Sequence, residues 1–232
     1  MSLRLLAIDT SEEACSAALW QDGEISERFE VAARRHSEMV LPMIESLLGE
    51  AGLRLHDLDA LAFARGPGSF TGVRIAASVI QGLAVAAALP VVPVSSLQAL
   101  AQGVHRSQGA EAVLSAFDAR MGEVYWGAFR ADAQGILRAV QKERVCAPAA
   151  VSVSPGEDAG TGPWHAAGSG WDTYAPALQQ AIGFEPVIHL SQRLHAADVA
   201  TVAAVLRAEG AGIEAAEALP VYLRDEVAWA KA

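Results

Sequence analysis

The chain has 232 residues, of which 52% are hydrophobic and 19% are charged, so it can bury a large core and is not a disordered protein. Its 17 lysines and arginines face 27 aspartates and glutamates, and a net charge of −10 repels a phosphate backbone on average. Since the basic residues form no cluster beyond Arg34 and Arg35, we expect any RNA in the function to be held mostly by a partner.

The first half of the chain predicts strands alternating with helices. The turn at 21–23, Gln-Asp-Gly, is typical of a β-hairpin, and Ser69 is the expected N-cap of a long helix. From apolar runs and helical spacing we predict strands at 3–8, 14–20, 24–31, 58–64 and 91–94, and helices at 36–50, at 70–89 and from Ser95 or Ser96 to about Gly103.

The second half repeats the start of the first. Residues 114–118 resemble residues 5–9, since each run is an apolar strand that ends in aspartate and leads through a short turn into another strand. This predicts two lobes of related topology, residues 1–105 and 106–232. The elements predicted here are strands at 113–117 and 123–130, a loop at 147–170, and helices at 173–182 and 196–209, the last of which we allow to pack back on the first lobe.

The two strand-ending aspartates are candidates for a phosphate site. In folds that hold ATP between two lobes, a strand ends in Asp and the next turn offers backbone N–H groups to phosphates. Asp9-Thr10-Ser11 and Asp118-Ala119-Arg120 would form the two halves of such a site. Ordinary hairpin turns have the same composition, because Asp and Ser favour turns, so both interpretations stay open.

The string GPGSFTGVR at 66–74 has glycines before a helix, as anion sites do, but no GK[ST] follows, so it is not a P-loop. A tight turn capped by Ser69 is the favoured interpretation. Glu12 and Glu13 favour a solvated turn over a catalytic pair.

No metal or nucleophile motif is present in the sequence. His36 is the histidine on a predicted helix, and four residues later stands Val40 rather than a second ligand. The cysteines, Cys15 and Cys146, form no spaced pair and suit a reducing cytoplasm. The apolar stretch at 83–94 is too short for the roughly 20 residues of a membrane span, so we expect a cytoplasmic protein without a membrane segment.

The predicted helix at 70–89 is apolar in almost every direction. Such a helix must be covered on every side, either by a deep core or by another chain. Met39 and Met43 on the predicted helix at 36–50 suit a surface that packs against different partners, because methionine side chains are flexible.

Five segments, spread in order over nearly the whole chain, resemble the TsaB (YeaZ) family of bacterial tRNA-modification proteins. They are AIDTSEEACSAAL (7–19), HSEMVLPMIESLL (36–48), GPGSFTGVR (66–74), FDARMGEVYWGAF (117–129) and PVYLRDEVAW (220–229). The resemblance implies an α/β fold of the actin/Hsp70/sugar-kinase type, with two lobes around a cleft, each a mixed sheet flanked by helices. It also implies partners: TsaD, a paralogue that transfers a threonylcarbamoyl group to the tRNA adenosine next to the anticodon, and TsaE, an ATPase.

This chain departs from the catalytic paralogue. TsaD carries an HxxxH metal pair on the helix that matches 36–50, where this chain has His36 and Val40. We therefore expect a non-catalytic partner protein with no catalytic residues, no metal and no cofactor. Weak nucleotide binding stays open at a vestigial site formed by Asp9, Thr10, Ser11, Asp118, Gly122, Gly168 and Gly170. The alternatives are an ATP-dependent enzyme of the same fold and, less favoured, a metallopeptidase-like protein.

The helices at 36–50 and 70–89 are expected to dock the paralogue, to form a homodimer when the chain is alone, and to leave tRNA contact to the complex. The resemblance points to the same two helices. The predicted interface residues are His36, Met39, Val40, Met43, Ile44, Leu47, Phe70, Val73, Arg74, Ala77 and Ile80.

Overall fold

The computed structural model describes residues 3–31, 34–153 and 162–224 of the chain. The strands within these residues are β1 (Arg4–Asp9), β2 (Ala14–Gln21), β3 (Glu24–Val31), β4 (Ala60–Ala64), β5 (Val91–Val94), β6 (Ala112–Arg120), β7 (Glu123–Ala131), β8 (Leu137–Ala139), β9 (Arg144–Cys146), β10 (His165–Ala167) and β11 (Val187–His189). The α-helices of the same residues are α1 (His36–Glu50), α2 (Phe70–Ala87), α3 (Ser96–Gln108), α4 (Ser169–Ile182) and α5 (Ala196–Ala208).

Two mixed sheets share one topology. The first has the strand order β3-β2-β1-β4-β5, and the second runs β8-β7-β6-β10-β11, with β9 also paired to β7. In each sheet the first three strands in chain order are antiparallel neighbours, and the two later strands are parallel to the first. The repeat seen between residues 5–9 and 114–118 is therefore a repeat of whole sheets, and the predicted α/β fold with two mixed sheets flanked by helices is confirmed.

The helices form layers on both sheets. Helices α1 and α2 cover one face of the first sheet, α5 and α3 lie between the sheets, and α4 covers the outer face of the second. The apolar core accordingly has three clusters, one in each of these layers. Although it follows the second sheet in the chain, α5 packs on β1 and β2 of the first sheet. The boundary predicted at 105/106 stays a prediction.

Helix α3 is longer than the sequence predicted. Its expected end near Gly103 is wrong, because α3 continues to Gln108, and Gly109 ends it with a φ of 67°. Gly103 lies inside the helix and faces α5, where a Cβ atom would lie 2.7 Å from Oδ2 of Asp198. This glycine serves close helix packing rather than helix termination.

The region 147–170, predicted as loop, contains a 3₁₀ turn at Pro148–Ala150, strand β10 and the first turn of α4, and residues 154–161 lie outside the described part. The prediction also missed β8, β9 and β11. Each of the missed strands has three residues, too few to show a period of two.

Helix α2 begins as predicted, with the Ser69 side chain accepting a hydrogen bond of 3.4 Å from the Gly72 N–H. Among the described residues, α2 is the one helix whose length and apolar composition would allow it to cross a membrane. Buried core helices meet the same criterion of length and composition. One of its faces packs on β4 and β1 of the first sheet.

Candidate functional site

A cleft of about 1240 Å³ lies between the turns that follow β1 and β6. Its volume exceeds the roughly 300–1,000 Å³ of most small-molecule sites. Charged and aromatic residues from both halves of the chain line it: Glu12, Glu13, Arg34, His36, Phe70, Arg74, Phe117, Asp118, Arg120, Tyr125, Asp172, Arg193, Tyr222 and Arg224.

The first half of the predicted nucleotide site is filled by the chain itself. Asp9, Thr10 and Ser11 are fully buried under the N-terminal end of α2. The Ser69 N–H donates to the Ser11 carbonyl oxygen over 2.7 Å, and the Thr10 hydroxyl donates to the Gly72 carbonyl oxygen over 2.7 Å. This turn therefore packs against a helix, where the hypothesis required it to face a phosphate.

The glycines of GPGSFTGVR explain how α2 comes so close. A Cβ atom at Gly68 would lie 2.4 Å from the carbonyl oxygen of Ser11, and one at Gly72 would lie 1.9 Å from that of Thr10. Such distances are far inside van der Waals contact, so only glycine fits at both positions. The structural interpretation of this string, a tight turn capped by Ser69, is confirmed.

Asp9 is fully buried, and its two carboxylate oxygens differ in their surroundings. Its Oδ1 accepts hydrogen bonds from the backbone N–H of Ser11, at 2.9 Å, and from the Ser11 hydroxyl, at 2.6 Å. Its Oδ2 has no hydrogen-bond partner among the described residues. Burial raises the pKa of this carboxyl to about 6 because the charged form loses its water.

The second half of the site forms a hydrogen-bonded chain across the cleft. The Asp118 N–H donates to the Ser169 hydroxyl over 3.1 Å, and that hydroxyl donates to Oε2 of Glu12 over 3.1 Å. Burial raises the pKa of Glu12 to about 8. The prediction of a solvated Glu12-Glu13 turn is wrong for Glu12, which faces the cleft half-buried, and holds for the exposed Glu13.

Glu12→Gln should change how stability depends on pH. The folded chain keeps the Glu12 proton to about pH 8, while an unfolded chain releases it near 4.5, so stability falls as pH rises between these values. Urea unfolding of the parent should lose about 2 kcal/mol between roughly pH 6.5 and 8.5, and Glu12→Gln should lose little. Glu13→Gln is the matched control and should behave like the parent. Equal pH dependence of parent and Glu12→Gln would contradict the raised pKa of Glu12.

The remaining glycines of the predicted site have structural roles. A Cβ atom at Gly168 would lie 2.2 Å from the carbonyl oxygen of Ala116, and one at Gly170 would lie 2.9 Å from the Ala116 Cβ. They let the start of α4 contact β6. Gly122 has a φ of 76° in the β6–β7 turn, with open space around it.

Five arginines line the cleft although the sequence shows no basic cluster beyond residues 34 and 35. They come from separate parts of the chain: Arg34, Arg74, Arg120, Arg193 and Arg224. Three of the five pair with carboxylates, so that Arg120 binds Asp118, Arg193 binds Glu13 and Arg224 binds Glu123. The net charge of −10 therefore does not describe this cleft, where the fold brings five arginines together with the acidic residues Glu12, Glu13, Asp118 and Asp172.

His36 lines the cleft, and the described residues group no companion metal ligands around it. Its Nε2 is buried without a hydrogen-bond partner in the part of the chain that the structure describes. One turn later Val40 is fully buried in the core. Over the described ranges, no three His, Cys, Asp or Glu side chains are grouped so that they could hold a metal.

The predicted partner interface is corrected for seven of its eleven residues. Each of these side chains is at least nine-tenths buried: His36, Val40, Ile44, Leu47, Val73, Ala77 and Ile80. Five of them belong to the core cluster that α1 and α2 form with the first sheet: Val40, Ile44, Leu47, Ala77 and Ile80. Of the other four, Met39 and Met43 are half-buried, and Phe70 and Arg74 are exposed. That these helices form an interface stays a prediction.

The accessible side of the two helices, which we call the α1–α2 face, includes Phe70 and Arg74 of the predicted set together with residues that the prediction did not name. Phe70 is 63% exposed and Val85 is 73% exposed. A groove of about 360 Å³ runs along this face, lined by Ser37, Phe70, Thr71, Arg74, Ile75, Ser78 and Val79. The Arg74 guanidinium carbon lies 3.4 Å from the centre of the Phe70 ring and 5.4 Å from that of Tyr222, as in cation–π contacts.

Known proteins resemble this chain over nearly its full length. The family model for TsaD, tRNA N6-adenosine threonylcarbamoyltransferase, matches residues 29–232. The tRNA threonylcarbamoyladenosine biosynthesis protein TsaB of Escherichia coli is 44% identical, over 99% of this chain and 98% of that protein. The TsaB of Haemophilus influenzae is 40% identical, over 99% of this chain and 97% of that protein. The solved structure of YeaZ from Pseudomonas aeruginosa has 46% identity and a TM-score of 0.87, covering 95% of this chain and 100% of that one.

Proposed function

Because the chain belongs to the TsaB (YeaZ) family, we propose that it acts in tRNA threonylcarbamoyladenosine biosynthesis as a non-catalytic partner protein that binds and supports a TsaD-like catalytic paralogue. The reaction in which it takes part is threonylcarbamoylation of the tRNA adenosine next to the anticodon. The alternative, an ATP-dependent enzyme of the same fold, has less support, because the N-terminal end of α2 packs on the first phosphate turn and buries it.

The fully buried Val40 carries the non-catalytic part of this proposal. A catalytic metal needs several ligands, and here the residue one helical turn after His36 is an apolar core residue. Placing a second histidine there would put a polar ring into the core between α1 and the first sheet. The chain thus lacks the histidine pair that the resemblance assigns to the catalytic paralogue.

The α1–α2 face supports the partner part of the proposal. It combines an apolar groove with large exposed side chains, Phe70 and Val85, and with the arginine at position 74. Exposed apolar patches of this kind mark protein interaction sites, and aromatic residues and arginine are enriched at such interfaces. We propose that a TsaD-like paralogue covers this face and that, without it, a second copy of the chain does so.

Co-purification tests the partnership. The chain and the TsaD-like protein of the same bacterium, mixed at micromolar concentration, should elute together from a size-exclusion column. Separate elution of the two proteins at every concentration would contradict the proposed partnership. The further proposals are a TsaE-like ATPase that joins the pair, tRNA contact through the complex, and a cytoplasmic location.

Nucleotide binding by the isolated chain should be weak. The first phosphate turn lies under α2, with Asp9, Thr10 and Ser11 fully buried, so no backbone N–H groups are presented there. Isothermal titration with ATP should show no saturation below about 1 mM, which corresponds to about −4 kcal/mol. Micromolar binding would contradict the packing argument and favour the enzyme of the same fold.

A further inference from the structure

Residues 219–224 run from the first half of the chain to the second along the rim of the cleft, and we call them the C-terminal strap. Both Tyr222 and Arg224 line the cleft. The strap follows the last helix and belongs to neither sheet of the described residues. Its two ends contact different lobes.

One end of the strap is bound to the loop before α2. The backbone N–H of Val221 donates to the carbonyl oxygen of Arg65 over 2.8 Å. Gly66 has a φ of 104°, and a Cβ atom there would lie 2.8 Å from the carbonyl oxygen of Val221. The centre of the Tyr222 ring lies 6.2 Å from the centre of the Phe70 ring. The loop thus accommodates the strap at close backbone distance.

The other end is bound to the β6–β7 hairpin. The Arg224 guanidinium donates to the carbonyl oxygen of Ala119 over 3.3 Å and forms an ion pair with Glu123. A third contact reaches the sulfur of Met121 at 3.8 Å. The Arg224 side chain is only 19% exposed, so these bonds are partly shielded from water.

The two sheets share an apolar layer, formed by α3 and α5 with core residues of both sheets. Lobes joined on one side in this way can still move about that layer unless contacts at the cleft tie them together. Inside the cleft, Ser169 to Glu12 and Arg193 to Glu13 also connect the two sides. We propose that the C-terminal strap is a latch, which holds the two lobes closed through Arg224 and Glu123 and allows the cleft to open when that pair separates. The latch acts in the isolated chain, so its test does not depend on the proposed partner.

Single-molecule fluorescence energy transfer between one dye on α1 and one dye on α4 tests the latch. Exposed Glu45 on α1 and Gln180 on α4 become cysteines for the dyes, half-buried Cys146 becomes serine, and Cys15 stays because it is fully buried. Picomolar concentration keeps the chain from pairing with a copy of itself. In Arg224→Ala and in Glu123→Gln, the population with low transfer should rise about tenfold over the parent, which corresponds to about 1.4 kcal/mol.

The matched control is Arg28→Ala, which breaks an ion pair with Glu50 that stays within the first lobe. Arg28→Ala should show the same distribution of energy-transfer efficiencies as the parent. The double variant Arg224→Ala/Glu123→Gln should have no larger low-transfer population than either single variant, because both changes break the same pair. Circular dichroism checks that each variant is folded. If Arg224→Ala is unfolded, the milder variant Glu123→Gln provides the test. A folded Glu123→Gln with the transfer distribution of the parent overturns the latch.

Discussion

Ser78→Glu should weaken binding to a TsaD-like partner about a hundredfold while leaving the chain folded. Ser78 is exposed in the middle of α2 and lines the groove of the α1–α2 face, so a glutamate there would fill the groove and lose its water once a partner covers it. The cation within reach in the groove is Arg74, one helical turn earlier, and pairing with it would draw that guanidinium away from the Phe70 ring. In the free chain the added carboxylate stays in water. A binding titration measures the effect, with circular dichroism to confirm the fold.

Two comparisons make this result specific. Ser107→Glu, at an exposed position near the end of α3, should bind like the parent. Val73→Glu should unfold the chain instead, because Val73 is 1% exposed and points into the core. If folded Ser78→Glu binds the partner as tightly as the parent does, the docking surface lies elsewhere.

Gly72→Ala should cost about 3 kcal/mol or more of folding free energy, the upper end of what an added group costs in a packed interior and a large part of the stability of a marginal domain. The added methyl group would lie 1.9 Å from the Thr10 carbonyl oxygen, and both groups belong to rigid backbone elements. Either α2 moves away from the β1–β2 turn or the contact is lost. Urea unfolding followed by circular dichroism measures the loss.

Gly82→Ala is the matched control on the same helix. No atom lies within 4 Å of a Cβ atom at that position, so the change should stabilise the chain by up to about 1 kcal/mol through helix propensity. Equal effects of the two substitutions would mean that Gly72 is not required for the close approach of α2 to Thr10.

The long elements were predictable from the sequence because their periods are clear. The helix predicted over 36–50 matches α1, and the hairpin of β2 and β3 lies where its turn residues placed it. Glycine misled the prediction at position 103, since a glycine inside a helix can serve packing as well as termination. A single sequence does not distinguish these two uses of the residue.

Which side of α2 is accessible could not be predicted from periodicity. The helix is apolar in nearly every direction, so the pattern named both Val73, which is buried, and Phe70, which is exposed. Only the packing of the folded chain around α2 distinguishes the two positions. The excess of apolar directions and the family resemblance indicate a partner surface on this helix without placing it on one side.

The cleft was predictable only in outline. Of the two strand-ending aspartates, Asp118 lines the cleft, whereas Asp9 is buried beneath the N-terminal end of α2. The five arginines of the cleft come from distant parts of the sequence. Glu12 looked like half of a solvated pair because adjacent residues in a turn give no sign of which one the fold turns inward. Its contact with Ser169 joins residues 157 positions apart.

Reconstituted tRNA modification tests the central claim, that this chain supports catalysis by another protein, most directly. The TsaD-like and TsaE-like proteins of the same bacterium, with tRNA and the threonylcarbamoyl adenylate, are incubated with and without the chain, and threonylcarbamoyladenosine is quantified by mass spectrometry. The account predicts modification that depends on the chain, is lost with Ser78→Glu, and is absent when the chain is the only protein present. Modified tRNA produced by the chain alone, or equal yields with and without it, would contradict the account.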